Sequence, residues 1–479
     1  MDKKLFDETK IDGVTIKQAA QLANVSTVTI LNWVKTGYLT IIDKGIISQK
    51  SLDNFMSNIA GKEKLKSRAN KLLKDKHDHT QLSSLIKRLS QKCCGEELGT
   101  EYENSLSDSF RNKEGIYYTP PSVVVDMLKD IPINANTKFL DPCCGSGNFI
   151  IQAIKSGISP ENVYGFDLDE NAVFISKKRI KDEFGFETPN IKVGNFFIEA
   201  LKLKKKNIRF DLIFTNPPWG KKMDKSNRKQ YSKFYNCGDS LDTTSLFMGA
   251  SLDLLNTNGF LGFLIQEAFF NIGVFKDIRA RVISKKILRF VDYGKVFKKL
   301  VTKAQTIIVA NCEPDANDVV ECCFNNEKYY RPLSSFVNNP KNIFNFWTKS
   351  EDSHVIERLY SHHHITLKDK ADWALGIVTG NNEKYCSKTK ISENHIPIYK
   401  GSDITKKGLK EVNNFIINDF SRFQQVAPLE RYLTNEKLIY RFISSNLCFC
   451  YDDKHCLVLN SANVLIPKNI TITAKQLTQ

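Results

Sequence analysis

Apolar and polar positions change period several times along the chain, and each change marks a different kind of element. In "TIKQAAQLANVSTVTILNWVKTGYL" an apolar-periodic segment runs into the turn Asn24-Val25-Ser26, and a second segment then carries Ile30, Trp33 and Val34. The spacing predicts two short helices, the second capped by Ser26 or Thr27, in a helix-turn-helix layout. The tail "IIDKGIISQKSLDNFM" predicts a small wing and another helix. Next, "GKEKLKSRANKLLKDKHDHTQLSSLIKRLSQ" is charged and free of proline, which predicts one or two connecting helices. Such a basic helix is more often a solvated face than a contact to phosphates.

Near Gly115 the pattern changes to short apolar runs that alternate with longer helical ones. "KFLDPCCGSGNFIIQAI" reads as a strand, Asp-Pro, a Gly-rich turn and a helix. Glycines let the backbone turn sharply and approach a ligand, and a following helix presents unpaired N–H groups to it. The spacing Asp141-x3-Gly145-x-Gly147 differs from the GxGxxG of dinucleotide enzymes. "VYGFDLDENAV" is a second strand, ending in Asp167, 26 residues after Asp141. An acid at the end of the second strand of a doubly wound sheet commonly holds ribose hydroxyls. "IKVGNFF" and "FDLIFTNPPWG" supply a third and a fourth strand end. The four ends in this order predict an α/β fold with a doubly wound, mostly parallel sheet, whose ligand edge they line. From about Asn345 onward, "DWALGIVTGNNEKY", "IPIYKGSDI", "KLIYRFISSNLCFCYDD" and "LVLNSANVLIP" are mainly strand-like, with Gly and Asn turns between them.

At 479 residues the chain has room for two or three domains and a large core. Its 41% hydrophobic and 25% charged content is that of a soluble globular protein. No apolar run is long enough to span a membrane, and "MDKKLFDETK" has no apolar stretch to serve as a signal peptide, so a cytoplasmic location is expected. The net charge of +16 favours a polyanionic partner, nucleic acid first; a genome biased toward Lys, Asn, Ile and Phe would also produce it. The twelve cysteines contain adjacent pairs, Cys93-Cys94, Cys143-Cys144 and Cys322-Cys323, but no CxxC. Cys448, Cys450 and Cys456 fit no zinc spacing, and His362-His363-His364 reads as a solvated run. Reduced thiols and no metal site are the expectation.

The corner Asn216-Pro217-Pro218-Trp219 places an amide, a stiff donor-free backbone and a flat ring at a strand end. Taken alone it would be a strand-ending turn. Together, "GIYYTP", "FLDPCCGSGNF", "GFDLDENA", "VGNFF", "TNPPW", "SLFMGASLDLL" and "DYGKVFKK" resemble the S-adenosylmethionine-dependent DNA methyltransferases that methylate exocyclic amino groups. Within that group the motif order is that of the gamma-type N6-adenine enzymes of restriction-modification systems. The first segment resembles the winged helix-turn-helix of MerR-type and excisionase-type proteins, or else a small helical domain for protein contacts.

The resemblance implies a Rossmann-like catalytic domain and a role for each matching residue. The Asn216 side-chain oxygen and the Pro217 carbonyl would accept from the target amine, with Pro218 stiffening the corner. Trp219, where Tyr or Phe is usual, would stack on the extruded base, and Phe297 would cover its other face. For the cofactor, S-adenosylmethionine, Thr119 would bind the methionine carboxylate and Asp141 the methionine amino group. Gly145 and Gly147 would let the backbone approach, and Asp167 would hold the ribose. Phe196 and Phe247 would flank the adenine, with core packing as the other reading. Asn195 stands where Asp is usual; its oxygen would accept from the adenine amine, or its NH2 would donate to a ring nitrogen.

The implied domains are 1–60 (helix-turn-helix), 61–112 (helical linker), 113–344 (catalytic) and 345–479 (target recognition, with Lys400 and Arg441 as DNA contacts). Relatives usually continue with a further helical portion, so the last would be naturally shortened, truncated, or completed by a partner. The expected function is adenine-N6 methylation of double-stranded DNA, with a cognate restriction endonuclease or a specificity subunit as a further partner. N4-cytosine methylation, and a DNA-binding regulator with a degenerate catalytic domain, are the alternatives.

Overall fold

The computed structural model describes residues 13–35, 38–43, 45–58, 86, 88–105, 117–220, 223–238, 240, 242–297, 302–337 and 339–478. Most of the basic segment expected to form linker helices, the residues Gly115 and Ile116, and Lys298 and Lys299 lie outside them. Among the described residues no helix is long and apolar enough to cross a membrane. The chain divides into two compact units, Met1–Val355 and Ile356–Gln479.

In the first unit, strand β1 (Gly13–Thr15) leads into helices α1 (Ile16–Leu22) and α2 (Thr27–Lys35). A hairpin of β2 (Ile41–Asp43) and β3 (Ile46–Ser48) and then helix α3 (Gln49–Asn58) come next. Thr15 caps α1 in a reciprocal box with Gln18. Of the two candidate caps on α2, Ser26 is the one engaged: its Oγ accepts from the Thr29 N–H at 3.2 Å. Ile30, Trp33, Leu39, Ile47, Leu52 and Phe55 form a separate small core.

Helices α4 (Gly95–Ser105) and α5 (Pro121–Leu128) precede the main sheet. Its elements are β4 (Phe139–Asp141), α6 (Asn148–Lys155), β5 (Val163–Asp167), α7 (Glu170–Phe184), β6 (Ile191–Val193), α8 (Phe196–Lys205), β7 (Phe210–Thr215), α9 (Lys225–Phe234), α10 (Thr243–Leu254) and β8 (Leu255–Gln266). Strands β9 (Lys286–Gly294), β10 (Ala304–Ala310), β11 (Val319–Phe324) and β12 (Glu327–Pro332) complete it. The nine strands lie in the order β12-β11-β9-β10-β8-β7-β4-β5-β6. Neighbours from β8 to β6 are parallel, while β10 is antiparallel to both β8 and β9. β4 and β7 are apolar almost throughout and buried on both faces, as parallel strands covered by helices must be. From β4 the chain moves outward through β5 and β6, then returns to β7 on the other side. The switch point is therefore between β4 and β7, where an open α/β sheet leaves a crevice at its carboxyl edge.

The first compact unit runs on to Val355, past the 344/345 boundary expected for the catalytic domain. The reason is packing: Phe344 and Phe346 are fully buried in the core beside Phe290, and Arg331 donates to the carbonyls of Asn345 and Thr348.

The second unit is mainly β, as its turn-rich sequence predicts. Ala371–Leu375, Ala462–Pro467, Lys437–Arg441 and Phe449–Asp452 form one antiparallel sheet in that order. A second sheet contains Cys386–Ser387, Phe415–Ile417, His395–Tyr399 and Leu457–Val458, and Ile404–Thr405 pairs with Gly408–Leu409. Ile398, Ile416, Ile439, Val458 and Val464 share its core. Lys437 and Asp452 form a buried ion pair inside it. Arg441, expected at a DNA surface, has its Nε committed to the Gly401 carbonyl at 2.8 Å.

Candidate active site

The carboxyl ends of β4, β5 and β7 converge at the switch point. Asp141 ends β4 and is 1% exposed. Its Oδ1 accepts from the Thr215 hydroxyl at 2.6 Å and from the Cys143 N–H at 3.1 Å. Burial outweighs these bonds and raises its pKa to about 7. Asp167 ends β5. Its Oδ2 accepts from the Gly145 N–H at 2.9 Å and its Oδ1 from the Asp169 N–H at 3.0 Å. Backbone donors thus hold both oxygens of this carboxylate at the strand end.

The two glycines of the turn have reasons of their own in the fold. Gly145 has φ +49°, and a Cβ there would come within 2.8 Å of the Tyr118 ring. Gly147 has φ +92°, and its Cβ would lie 2.5 Å from Ser176 Oγ on α7. Thr119 is buried, and its carbonyl accepts from Asn148 Nδ2 at 3.0 Å. Asn195 is the N-cap of α8, with its oxygen accepting from the Phe197 N–H at 3.0 Å. The oxygen is thus already engaged, and the amide's donor side is the one left to turn outward.

At the end of β7, Asn216 Nδ2 donates to the Tyr117 carbonyl at 2.5 Å. This bond fixes which way the amide faces. Its Oδ1 is buried and accepts from none of the described residues. An unsatisfied buried acceptor costs about 1–3 kcal/mol, so the fold holds this oxygen at a loss. Pro217 and Pro218 come next without N–H groups, and the Pro218 carbonyl accepts from Thr243 at 3.3 Å. Trp219 is buried and its indole N–H donates to the Leu264 carbonyl at 3.4 Å.

The two aromatic pairs named from the sequence are each in ring contact. Trp219 and Phe297 meet edge to face, with centroids 5.2 Å apart at 82°, and Tyr117 packs against both. Phe196 and Phe247 stack directly, parallel to within 3° with centroids 5.6 Å apart. A base between two parallel rings needs about 7 Å between them, two carbon contact distances. Neither pair is spaced by that layer here, so a base between Trp219 and Phe297, or an adenine between Phe196 and Phe247, would require the rings to part. Large apolar rings at the end of a buried sheet pack on one another. Sequence reasoning does not single out Tyr117, Thr215, Tyr102 or Glu103. Of these, Tyr117 and Thr215 carry a signal, as the first residues of "YYTP" and "TNPPW".

Comparison with known proteins adds an independent line. Residues 95–370 match the N-6 DNA Methylase family, and residues 396–479 match the TaqI-like C-terminal specificity domain. Type II methyltransferase M.VspI of Vibrio sp. (strain 343) is 42% identical over 407 residues, which is 84% of this chain and 99% of that protein. Type II methyltransferase M.AccI of Acinetobacter calcoaceticus is 30% identical over 244 residues, 49% of this chain and 43% of that protein. Among solved structures, a DrdV–DNA complex aligns with TM-score 0.54 at 12% identity, covering 87% of this chain and 56% of that one. A type IIL restriction-modification enzyme, MmeI, in complex with DNA aligns with TM-score 0.52 at 11% identity, covering 78% and 66%. At these identities the two structures speak for the fold alone, and this chain spans less than two thirds of either. The family match over more than half of the chain, together with the relative from Vibrio, leads to one conclusion: the chain belongs to the N-6 DNA methylase family and is an N6-type DNA methyltransferase.

Proposed function

We propose that the chain transfers a methyl group from S-adenosylmethionine to the N6 amine of an adenine turned out of double-stranded DNA, as the modification enzyme of a restriction-modification system. The unpaired Asn216 oxygen carries this reading. Adenine N6 is a poor nucleophile because its lone pair is delocalised into the ring. The Asn216 oxygen and the Pro217 carbonyl would each accept one amine hydrogen, drawing N6 toward tetrahedral geometry and freeing the lone pair. Both acceptors are held before the base arrives, one by the Tyr117 bond and one by the proline backbone. No base is needed at the attack, since the methylated ammonium can lose its proton afterward. Trp219 would provide the stacking face once Phe297 and Tyr117 part from it.

The residues around the β4 and β5 ends fit S-adenosylmethionine, which when bound supplies an electrophilic methyl carbon. Asp141 offers a buried carboxylate to an ammonium group, and Asp167, at the end of β5, would accept from ribose hydroxyls. Thr119 would take the methionine carboxylate, Gly145 and Gly147 shape the turn beside it, and Phe196 and Phe247 form an apolar wall for the adenine. Residues 13–58 would contact DNA or a protein partner, and residues 356–478 would read the target sequence.

The test is to incubate the protein with unmethylated DNA and isotopically labelled cofactor, then digest the DNA and identify the base. N6-methyladenine is expected. N4-methylcytosine, or label only on RNA or protein, would overturn the proposal. Because Asn195 uses its oxygen as a helix cap, Asn195→Asp should keep the cap, add a second acceptor for the adenine amine, and suit the N-terminus of α8. Cofactor affinity should rise by about tenfold, on the scale of one charge-assisted hydrogen bond. Titration calorimetry on both proteins checks this; equal affinities would place Asn195 away from the cofactor.

A further inference from the structure

Helix α4 precedes the catalytic sheet, and its sequence is that of a charged linker. In the structure one of its faces is built into the loops at the ends of β4 and β5. Gly99, Tyr102 and Glu103 lie at i, i+3 and i+4, so they share that face. Glu103 Oε1 accepts from Ser146 Oγ at 2.8 Å and from Asn148 Nδ2 at 3.4 Å. Both donors belong to the segment "GSGN", the Gly-rich turn after β4 and the first residue of α6. Tyr102, fully buried, donates its hydroxyl to Asp169 Oδ2 at 2.5 Å. Asp169 in turn caps α7 through Asn171 N–H at 2.9 Å, and its own N–H binds Asp167 at 3.0 Å. Adjacent residues of one helix therefore brace the two loops that carry Gly145 and Asp167.

A third contact supports the arrangement from below. The Arg179 guanidinium, buried on α7, donates to the Ser146 carbonyl at 2.7 Å and to Asn148 Oδ1 at 2.8 Å. A Cβ at position 99 would lie 2.8 Å from Arg179 Nη1, so Gly99 is what lets α4 lie directly on it. The Ser146 hydroxyl and carbonyl and the Asn148 amide are thus gripped between a carboxylate and a guanidinium. Mere packing of α4 on α7 would need only its apolar residues, and Leu98 with Ala172 and Ile175 already supplies that.

We propose that Tyr102 and Glu103 are positioning residues for cofactor binding: Glu103 sets the turn after β4 and Tyr102 sets the acid loop after β5. Neither needs to touch the cofactor. The proposal rests on the cofactor reading given above, and its effect should be on cofactor affinity rather than on the methyl-transfer step.

The experiment measures S-adenosylmethionine affinity by calorimetry, methyl transfer at saturating cofactor, and Tm without cofactor, in the full chain. Glu103→Ala should weaken cofactor binding by roughly tenfold or more, and Tyr102→Phe likewise, as expected for losing a hydrogen bond to a charged group. The rate at saturating cofactor should stay within about twofold of wild type, because transition-state contacts are untouched. Glu103→Gln keeps an oxygen acceptor for Ser146 and should recover most of the affinity. Leu98→Ala is the packing control: it opens a cavity in the same helix and should lower Tm while leaving affinity nearly unchanged. Affinity lost equally in Leu98→Ala and Glu103→Ala, or unchanged in Glu103→Ala, would overturn the proposal. If the unmodified protein binds no cofactor, the cofactor reading itself falls, and this inference with it.

Discussion

Asn216→Ala is expected to lose at least 10²-fold in methyl-transfer rate while cofactor affinity stays within about twofold, a loss of about 3 kcal/mol or more on the scale of one preorganised oxyanion-type group. The acceptor acts as N6 pyramidalises, so its removal should lower kcat rather than raise the KM for DNA. Folding should survive. The substitution forfeits the bond to the Tyr117 carbonyl, but it also removes a buried oxygen that accepts from none of the described residues. Single-turnover rates, with Tm as a control, check this. Trp219→Ala should behave differently, because it removes a stacking surface worth about 1–3 kcal/mol. With 2-aminopurine at the target position, Asn216→Ala should still give the fluorescence rise of an unstacked base. Trp219→Ala should give either a smaller rise or a brighter, unsupported base. A full-rate Asn216→Ala enzyme would remove the amide from the mechanism.

Asp141 should make cofactor affinity steeply dependent on pH. With its pKa raised to about 7 by burial, it is largely neutral in the free protein below that pH. An ammonium group bound beside it favours the carboxylate, so binding below about pH 7 must release a proton. Affinity should then fall about tenfold for each pH unit below about 7 and level off above it. Calorimetry in buffers of different ionisation enthalpy would count the proton. Stability runs the opposite way. A folded-state pKa raised above the unfolded value of about 3.9 gives a contribution that is complete below that value and lost as pH rises through about 7. Asp141→Asn should therefore bind cofactor weakly at every pH, yet melt higher than wild type above pH 7. A flat affinity profile in the wild type would show that Asp141 does not face the ammonium.

The parts of the site that are legible in the sequence are those set by backbone chemistry. A strand must end, Pro217 and Pro218 must stiffen the corner beyond it, and an acid at a second strand end has few uses besides hydroxyls. The parallel part of the sheet, β4 to β7, comes from the same alternation of elements. Ring orientation is not legible, because whether Phe196 and Phe247 stand apart or stack depends on neighbours brought together only by packing. Tyr102 and Glu103 are hidden for another reason. On a charged helix, a Glu that grips a distant serine has the same local pattern as one in water. The glycines carry a second reason that the sequence does not show: their context points to a ligand, and Tyr118 and Ser176 also require them.

That difference bears on how such a chain would age if its activity were no longer selected. Gly147 would persist in an inactive descendant, since α7 packs against it whether or not anything is methylated. The orphaned oxygen of Asn216 would not, because the fold gains nothing from it and pays for its burial. Drift should erase the asparagine long before the glycines. In a descendant reduced to binding DNA, the Gly-rich turn would then be a record of ancestry, and the amide a record of continued use.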